Sequence, residues 1–267
     1  MKLDAKTPLG GGERSRGSRQ RRSPFDVRPL ESDADLKACV ALQRRTWGEN
    51  YADIVPTSIL KITARIGGVV LGAFDSAGTL LGFVFGITGV ERRNIVHWSH
   101  MLGVVPEAQN QGIGRTLKEQ QRLLVAKLGA KAMYWTFDPL VARNAHLNIN
   151  VLGVRATDYV QNMYGESASP LHRGIGTDRL IVSWPVDDIA VAARRREMTK
   201  ALRAPAGDLL RIEVPGDIAA LQLSNMSAAR DWRERTRTAF QQAFASDYVV
   251  QGFESTGAET GFYLLSR

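Results

Sequence analysis

The period of apolar side chains changes along the chain, and each change marks an element. Arg28 through Leu30 reads as a short first strand. Ser32, three residues before Asp35, signals a helix start. That helix runs to about Trp47 and turns Leu36, Cys39, Val40 and Leu42 inward. Pro56 precedes a second helix with Ile59, Leu60, Ile62 and Ile66 as its apolar positions, and Gly67-Gly68 stops it. Strands follow at Val69 to Phe74 and Thr79 to Gly86, joined by the hairpin turn Asp75-Ser76-Ala77-Gly78. Asn94 to Val105 is the next strand, ended by Pro106, which cannot donate to a ladder. A helix over about 114–129 carries Leu117, Leu124 and Leu128 on one face and Lys118, Arg122 and Lys127 elsewhere. Lys131 to Phe137 is a strand broken by Asp138-Pro139, and Leu140 to Leu152 is a helix capped by Gly153. Val154 to Tyr164 and Thr177 to Trp184 are two further strands.

The pattern shifts again near residue 186. Asp187 to Arg203 is a charged helix and Asp208 to Val214 a strand. Ser224 to Ala245 is a long helix with Met226, Ala229, Trp232, Thr236, Ala239 and Phe240 near one face, and Tyr248 to Phe253 with Gly261 to Leu265 form a closing hairpin. A piece of this size has little core of its own, so it is expected to pack on the preceding domain, over the acceptor side. The division is therefore 1–24 as a tail, 25–185 as the main domain and 186–267 as an extension. No internal repeat is evident.

Charge changes this picture only at one end. The net charge is +8, but seven basic against two acidic side chains lie within residues 1–24, leaving the rest close to neutral. That tail is rich in Gly, Arg and Ser and reads as disordered. A nucleic-acid-binding reading would rest almost wholly on it. The single cysteine, Cys39, excludes an internal disulfide, and its helical surroundings suggest a buried thiol. No apolar run approaches membrane-spanning length and the first residues have no hydrophobic core, so a cytoplasmic protein without a membrane partner is expected.

Candidate chemistry centres on the stretch His97 to Lys118. It reads as an apolar strand, a polar turn, a glycine loop and a helix. Such a loop aims unpaired backbone N–H groups and the positive end of the helix dipole at one spot, an anion site suited to phosphate or pyrophosphate. The dinucleotide fingerprint fails, because Leu117 stands where its third glycine belongs, and the P-loop spacing is absent. A side chain at Gly112 would crowd a pyrophosphate lying on the backbone, and Gly114 would let the helix start close to it.

Gln109-Asn110-Gln111-Gly112-Ile113-Gly114 resembles the coenzyme A loop of the GNAT acyltransferases. The resemblance covers about residues 26–185 and is strongest over 97–153. It implies an α/β fold, a mostly antiparallel mixed sheet flanked by helices, here with a smaller C-terminal α+β extension. The phrases His97-Trp98-Ser99-His100-Met101, Trp135-Thr136-Phe137-Asp138-Pro139-Leu140, Arg143-Asn144-Ala145, Asn162-Met163-Tyr164-Gly165 and Thr177-Asp178-Arg179-Leu180 are similar to a subgroup of predicted bacterial acetyltransferases. Some of that subgroup are associated with N-succinyl amino acid metabolism. The resemblance thus implies a coenzyme A-dependent N-acyltransferase with acetyl-CoA or succinyl-CoA as cosubstrate, no metal, and a small-molecule amine, an amino acid, as acceptor. It implies coenzyme A contacts from Leu102, Val104, Val105, Gln109, Asn110, Gln111, Gly112, Ile113, Gly114, Arg115 and Thr116, with Lys118 also placed to meet phosphate.

Acyl transfer to an amine needs a held donor, a deprotonated amine, a stabilised oxyanion and a leaving thiolate. In this fold a base often sits on the strand before the loop, where His97 and His100 stand. Strand alternation turns them to opposite sides, and His100 is the favoured base. Many relatives carry a tyrosine four residues before the glycine that ends the next helix, a position held here by Ile149. Asn144, Asn148, Tyr159 and Tyr164 remain as groups to contact sulfur or pantetheine, the tyrosines being the ones with an ionisable proton. Asp138 and the pair Asp178-Arg179 could bind the acceptor or could be a cap and a salt bridge. Two alternatives stay open: a coenzyme A-binding module without catalysis, and a nucleic-acid binder acting through the tail. A homodimer is a further alternative for which the sequence carries no signal.

Overall fold

A seven-stranded sheet and a three-stranded sheet organise the structure, a computed structural model that describes residues 24–165, 174–201, 203, 209–255 and 259–267. Apart from its last residue, the basic tail expected over residues 1–24 lies outside the described residues. The first unit runs β1 (Asp26–Pro29), α1 (Asp33–Trp47), α2 (Thr57–Arg65), β2 (Val69–Phe74), β3 (Leu80–Glu91), β4 (Asn94–Val104), α3 (Ile113–Lys127), β5 (Ala132–Phe137), α4 (Ala142–Ala145), β6 (Arg155–Val160) and β7 (Arg179–Pro185). Strand order is β1-β2-β3-β4-β5-β7-β6, antiparallel everywhere except between β4 and β5. This is the α/β, mostly antiparallel architecture that the sequence led us to expect.

Local chemistry explains most boundaries. Ser32 and Asp35 form a reciprocal capping box at the start of α1, and α1 buries Leu36, Cys39 and Leu42. Val40 is only half-buried. The turn after β2 closes on the Asp75 side chain, which accepts from Ala77 and Thr79 N–H. In α2 the expected face is wrong: Leu60 and Thr63 are buried, while Ile59, Ile62 and Ile66 are exposed. The nine-residue helix meets its neighbours along one narrow line, too little to cover four large side chains.

The face of α3 also differs from expectation. Ile113, Leu117, Lys118, Gln121, Arg122 and Val125 are buried, and Leu124 and Leu128 are exposed. The polar members go inward because each finds a partner there. Lys118 donates to Ser99 and Ser99 to Gln121, while Arg122 donates to the Val186 carbonyl and pairs with Asp188. The helix expected over 140–152 is α-helical only through α4 and then continues as π-helix from His146 to Leu152, ending on Gly153 in the left-handed region.

The C-terminal piece contains α5 (Asp188–Ala201), β8 (Leu210–Pro215), α6 (Ile218–Ser224), α7 (Met226–Ala245), β9 (Val249–Ser255) and β10 (Thr260–Ser266), with sheet order β8-β10-β9. Sequence reasoning missed α6, whose start is capped by the Asp217 side chain on Ala220 N–H. The piece is tied to the first unit through polar contacts. The Asn150 amide donates to the Phe253 carbonyl and accepts its N–H, at 2.6 and 3.0 Å, as a strand neighbour would. Tyr263 donates to the Pro139 carbonyl, and Phe240 stacks on Tyr159. Arg233, 2% exposed, pairs with Asp138 at 2.6 Å, and Arg237 with fully buried Asp178 at 2.8 Å.

Breaking the Arg233–Asp138 pair from one side leaves the buried Asp138 carboxylate with Arg179 at 3.7 Å in place of its 2.6 Å partner. Arg233→Met should therefore lower unfolding free energy by about 2 kcal/mol, below the cost of stranding a buried charge outright, and adding Asp138→Asn should recover part of it. Chemical denaturation checks this; a loss below about 1 kcal/mol, within the range of an exposed pair, would contradict it.

Candidate active site

The site begins where β4 and β5 stop being neighbours. Their parallel pairing comprises Val96↔Ala132, His97↔Met133 and Trp98↔Tyr134 only. Beyond it β4 stays paired with β3 as far as Val104, and β5 with β7 as far as Phe137. The two strands thus part into a V whose facing edges offer backbone N–H and C=O groups to whatever enters. A cleft of about 730 Å³ lies there. Its floor is Ser99 to Leu102 from β4 and Trp135 to Phe137 from β5, with Asp138 just beyond the strand.

A bulge shapes the floor. Phe85 pairs with Met101 and Gly86 with Ser99, so His100 is the extra residue on β4. It shifts the alternation. His97 and Ser99 face α3, and so does Leu102, against which a Cβ on Gly114 would rest at 3.6 Å. Gly103 faces α1 instead, near Leu42 and Thr46. His100 lines the cleft with its ring edge-on to Phe85. Burial pushes its pKa below the ordinary histidine value, and Asp53, another cleft residue, pulls the other way. His97 is fully buried, and burial with the nearby Lys118 charge takes its pKa down to about 4. A Cβ on Gly86 would lie 2.2 Å from His97 Nε2, so only glycine leaves room for the His97–Gln121 contact.

The glycine loop stands at one mouth of the V. Pro106–Ala108 forms a single 3₁₀ turn. The Gln109 amide donates to the Val104 carbonyl and accepts from Arg143 at 2.6 Å. Asn110 adopts φ 63°, and Gly112 caps α3 at φ 82°, a conformation that L side chains rarely adopt. Nothing lies within 4 Å of where its Cβ would be, so this side of the loop is open. The first-turn N–H groups of α3, from Ile113 to Arg115, have no partners within the helix. Gln111 is exposed and donates to the Glu107 carbonyl, and Thr116 Oγ1 donates to the Gly112 carbonyl. A Cβ on Gly114 would meet only Leu102 at 3.6 Å and Leu147 at 3.9 Å, ordinary contact within the chain. Val105 is buried with its N–H spent on Leu81, whereas Leu102 lines the V. Arg115 lies along the helix against Glu119.

Several expected groups sit elsewhere. Lys118 does not meet phosphate at the helix start; it is 3% exposed, 2.7 Å from Ser99 Oγ and 3.7 Å from the Trp135 ring centre, and borders the cleft at the point where the strands part. Tyr159 is buried under Phe240, its hydroxyl donating to Asp178 at 2.6 Å, and it does not border the cleft. Burial and the Asp178 carboxylate both drive its pKa up. Asp138 caps Leu140 N–H and holds Arg233, and Asp178 holds Arg237, so both are structural ties. Tyr164 does line the cleft, its hydroxyl 3.0 Å from Thr136 Oγ1. Asn144 and Asn148 do too: Asn148 accepts from Trp135 Nε1 and donates to the Asn144 carbonyl. Ile149, at the position where a tyrosine was sought, is fully buried.

The structure adds groups that sequence reasoning passed over. Trp47, Tyr51 and Asp53 border one side of the cleft and Gly216 to Ala219 with Gln222 another, so α6 helps to wall it. Burial holds Tyr51 up at about 12. Among the described residues no group of three or more His, Cys, Asp and Glu is arranged to hold a metal, and no helix is long and apolar enough to cross a membrane.

No protein-family model and no curated protein matches the chain. Solved structures similar to it include the ribosomal-protein-S18-alanine N-acetyltransferase from Escherichia coli, at 20% identity and TM-score 0.47 over 61% of this chain and 94% of that one. Another is yncA from Salmonella typhimurium with its cofactor acetyl-CoA, at 17% identity and TM-score 0.47 over 62% and 95%. A third is Arabidopsis thaliana NAA60 in complex with acetyl-CoA, at 14% identity and TM-score 0.48 over 60% and 99%.

Proposed function

We propose that the protein is a coenzyme A-dependent N-acyltransferase of the GNAT type, moving an acetyl or succinyl group from acyl-CoA to the amine of a small molecule, an amino acid. The observation that carries this reading is the V between β4 and β5 with the glycine loop at its mouth. In it, the open face of Gln109 to Thr116 cradles the pyrophosphate, using first-turn N–H groups and the helix dipole. The pantetheine amides pair with the edge of β4 at Leu102 and at the Val104 N–H, as an added strand would, the Val104 carbonyl being bonded to Gln109. Asn144 and Asn148 orient the arm near its sulfur.

His100 is the base. The bulge sets it on the cleft floor, and its lowered pKa keeps it neutral and able to accept a proton at neutral pH. The acceptor lies between the 51–53 segment and Tyr164, under α6. Asp53 borders this end and suits the ammonium of an amino acid, and Arg179, which borders it too, already pairs with Asp138 at 3.7 Å. The succinyl alternative for the donor rests on the subgroup resemblance.

Two variants test the reading. Gly112→Glu places a carboxylate on the open side of the loop and should weaken acyl-CoA binding at least tenfold, an effect of about 1.4 kcal/mol or more, by calorimetry. Gly112→Asn, which tolerates positive φ, is the folding control. Unchanged affinity in Gly112→Glu would sink the loop assignment. His100→Ala should cut turnover about 100-fold and erase the acidic limb of the rate profile, the limb on which rate rises with pH as His100 loses its proton. A retained limb at the same pH makes His100 structural.

A further inference from the structure

Acyl transfer leaves a thiolate, and the position four before Gly153 offers no acid, since Ile149 there is fully buried. The helix is also π-helical at that point. A π turn holds one more residue than an α turn, so the position five before Gly153, Asn148, is the one that reaches the cleft. Its amide cannot release a proton, and both its ends are engaged, with Trp135 and with the Asn144 carbonyl. Around the cleft floor Trp135 spends its indole N–H on Asn148, Ser99 its hydroxyl on Gln121, and the Tyr164 hydroxyl shares a hydrogen bond with Thr136. Lys118 lies over the ring of the same Trp135 and carries a proton it can release.

We propose that Lys118 is the proton donor to the departing coenzyme A sulfur. This rests on the acyl-transfer reading above and extends it. Its ammonium is held from two sides, by Ser99 Oγ at 2.7 Å and by the face of Trp135 at 3.7 Å, under the point where β4 and β5 part. Behind Ser99 the hydrogen bonds run one way. Ser99 donates to Gln121 Oε1, the Gln121 amide meets His97 Nε2 at 3.0 Å, His97 Nδ1 meets Thr88 Oγ1, and Thr88 donates to the Gly67 carbonyl. With Thr88 donating outward, His97 carries its proton on Nδ1 and accepts on Nε2. Every member thus has its acceptor filled from the cleft side, and the chain fixes Ser99 as an acceptor for Lys118.

The electrostatics fit an acid. Among the described residues no carboxylate pairs with Lys118, and full burial sets its pKa well below the ordinary lysine value. The groups around it are His97 behind Gln121 on β4, His100 on the cleft floor, Trp135 on β5, and on its own helix Arg115, turned to Glu119, and Arg122, turned to Asp188. Asp53, Asp138, Arg143 and Arg179 border the same cleft.

The protons balance. The acceptor ammonium loses one proton to solvent and attacks the carbonyl carbon, forming the C–N bond. The nitrogen passes its second proton to His100 as the C–S bond breaks, and sulfur takes the proton of Lys118. After the thiol leaves, His100 gives its proton to water and Lys118 takes one back, for a net release of one proton.

The test is the pH profile of turnover in Lys118→Met, whose side chain keeps the packing and removes the buried charge. Because the acid must be protonated, the rate of the unaltered protein should fall as pH rises through the Lys118 pKa. Lys118→Met should lose that basic limb and about 100-fold in kcat, with acyl-CoA affinity within about threefold of normal. Lys118→Arg keeps the charge but cannot release its proton, so it should be as slow, and it carries the test if the methionine variant does not fold. A retained basic limb, a kcat within threefold of normal, or full activity in Lys118→Arg would overturn the proposal. So would a variant that keeps its rate and only changes its preference between acetyl- and succinyl-CoA, since Lys118 would then contact the acyl chain. Absence of turnover by the unaltered protein would instead refute the acyl-transfer reading itself.

Discussion

The proposed site depends on two parallel strands that begin as neighbours and then separate. A buried strand edge without a partner is costly, because each unpaired N–H or C=O forfeits its hydrogen bond. The chain sustains the separation by binding each arm firmly on its other side. β3 holds β4 to its end and β7 holds β5 to its end. The bulge at His100 bends β4 at the parting point. In the proposed reading the exposed inner edges serve as a preformed template for an extended ligand carrying amides, and the α3 N-terminus at the mouth supplies an anion site on the same line. A long donor with a phosphate head and an amide arm matches that order.

The second constraint is the polar seam between the sheet and the C-terminal piece. Arg233 and Arg237 reach from α7 into Asp138 and Asp178, and Asn150 bonds β9 as a strand neighbour would. Buried ion pairs add little stability compared with apolar packing, but their geometry fixes registry. Here registry matters, because the same piece sets α6 beside the cleft. The acidic side chains at 138 and 178 thereby leave the pool of acceptor-binding groups, and Asp53, from the loop after α1, becomes the carboxylate nearest His100 in influence.

Much of this was legible from the chain alone. Apolar runs bounded by turn signals found β2 to β5, although β3 runs on to Glu91 past the expected end at Gly86, punctuation by Pro106 and the glycines found the loop, and the Ser32–Asp35 pair found the start of α1. What resisted reading was every place where a polar side chain is buried by a distant partner. Hydropathy assigns Lys118 and Arg122 to solvent; their partners lie 19 and 66 residues away. Counting back from Gly153 in α-helical steps lands on Ile149, because the added residue of a π turn has no signature in composition. Strand parity sent His97 and His100 to opposite sides, which holds, but the flip beyond the bulge required the β3 register. Asp178 has the residue type of an acceptor site and the partners of a strut.

The most direct test of the central claim is acceptor-dependent release of free thiol from acetyl-CoA and succinyl-CoA across a panel of amino acids and amines, with the amide product identified by mass. The account predicts thiol release that requires both substrates and yields an N-acylated product in equal amount. Tight acyl-CoA binding with no acceptor-dependent release across the panel would contradict it and leave a coenzyme A-binding protein without transfer chemistry.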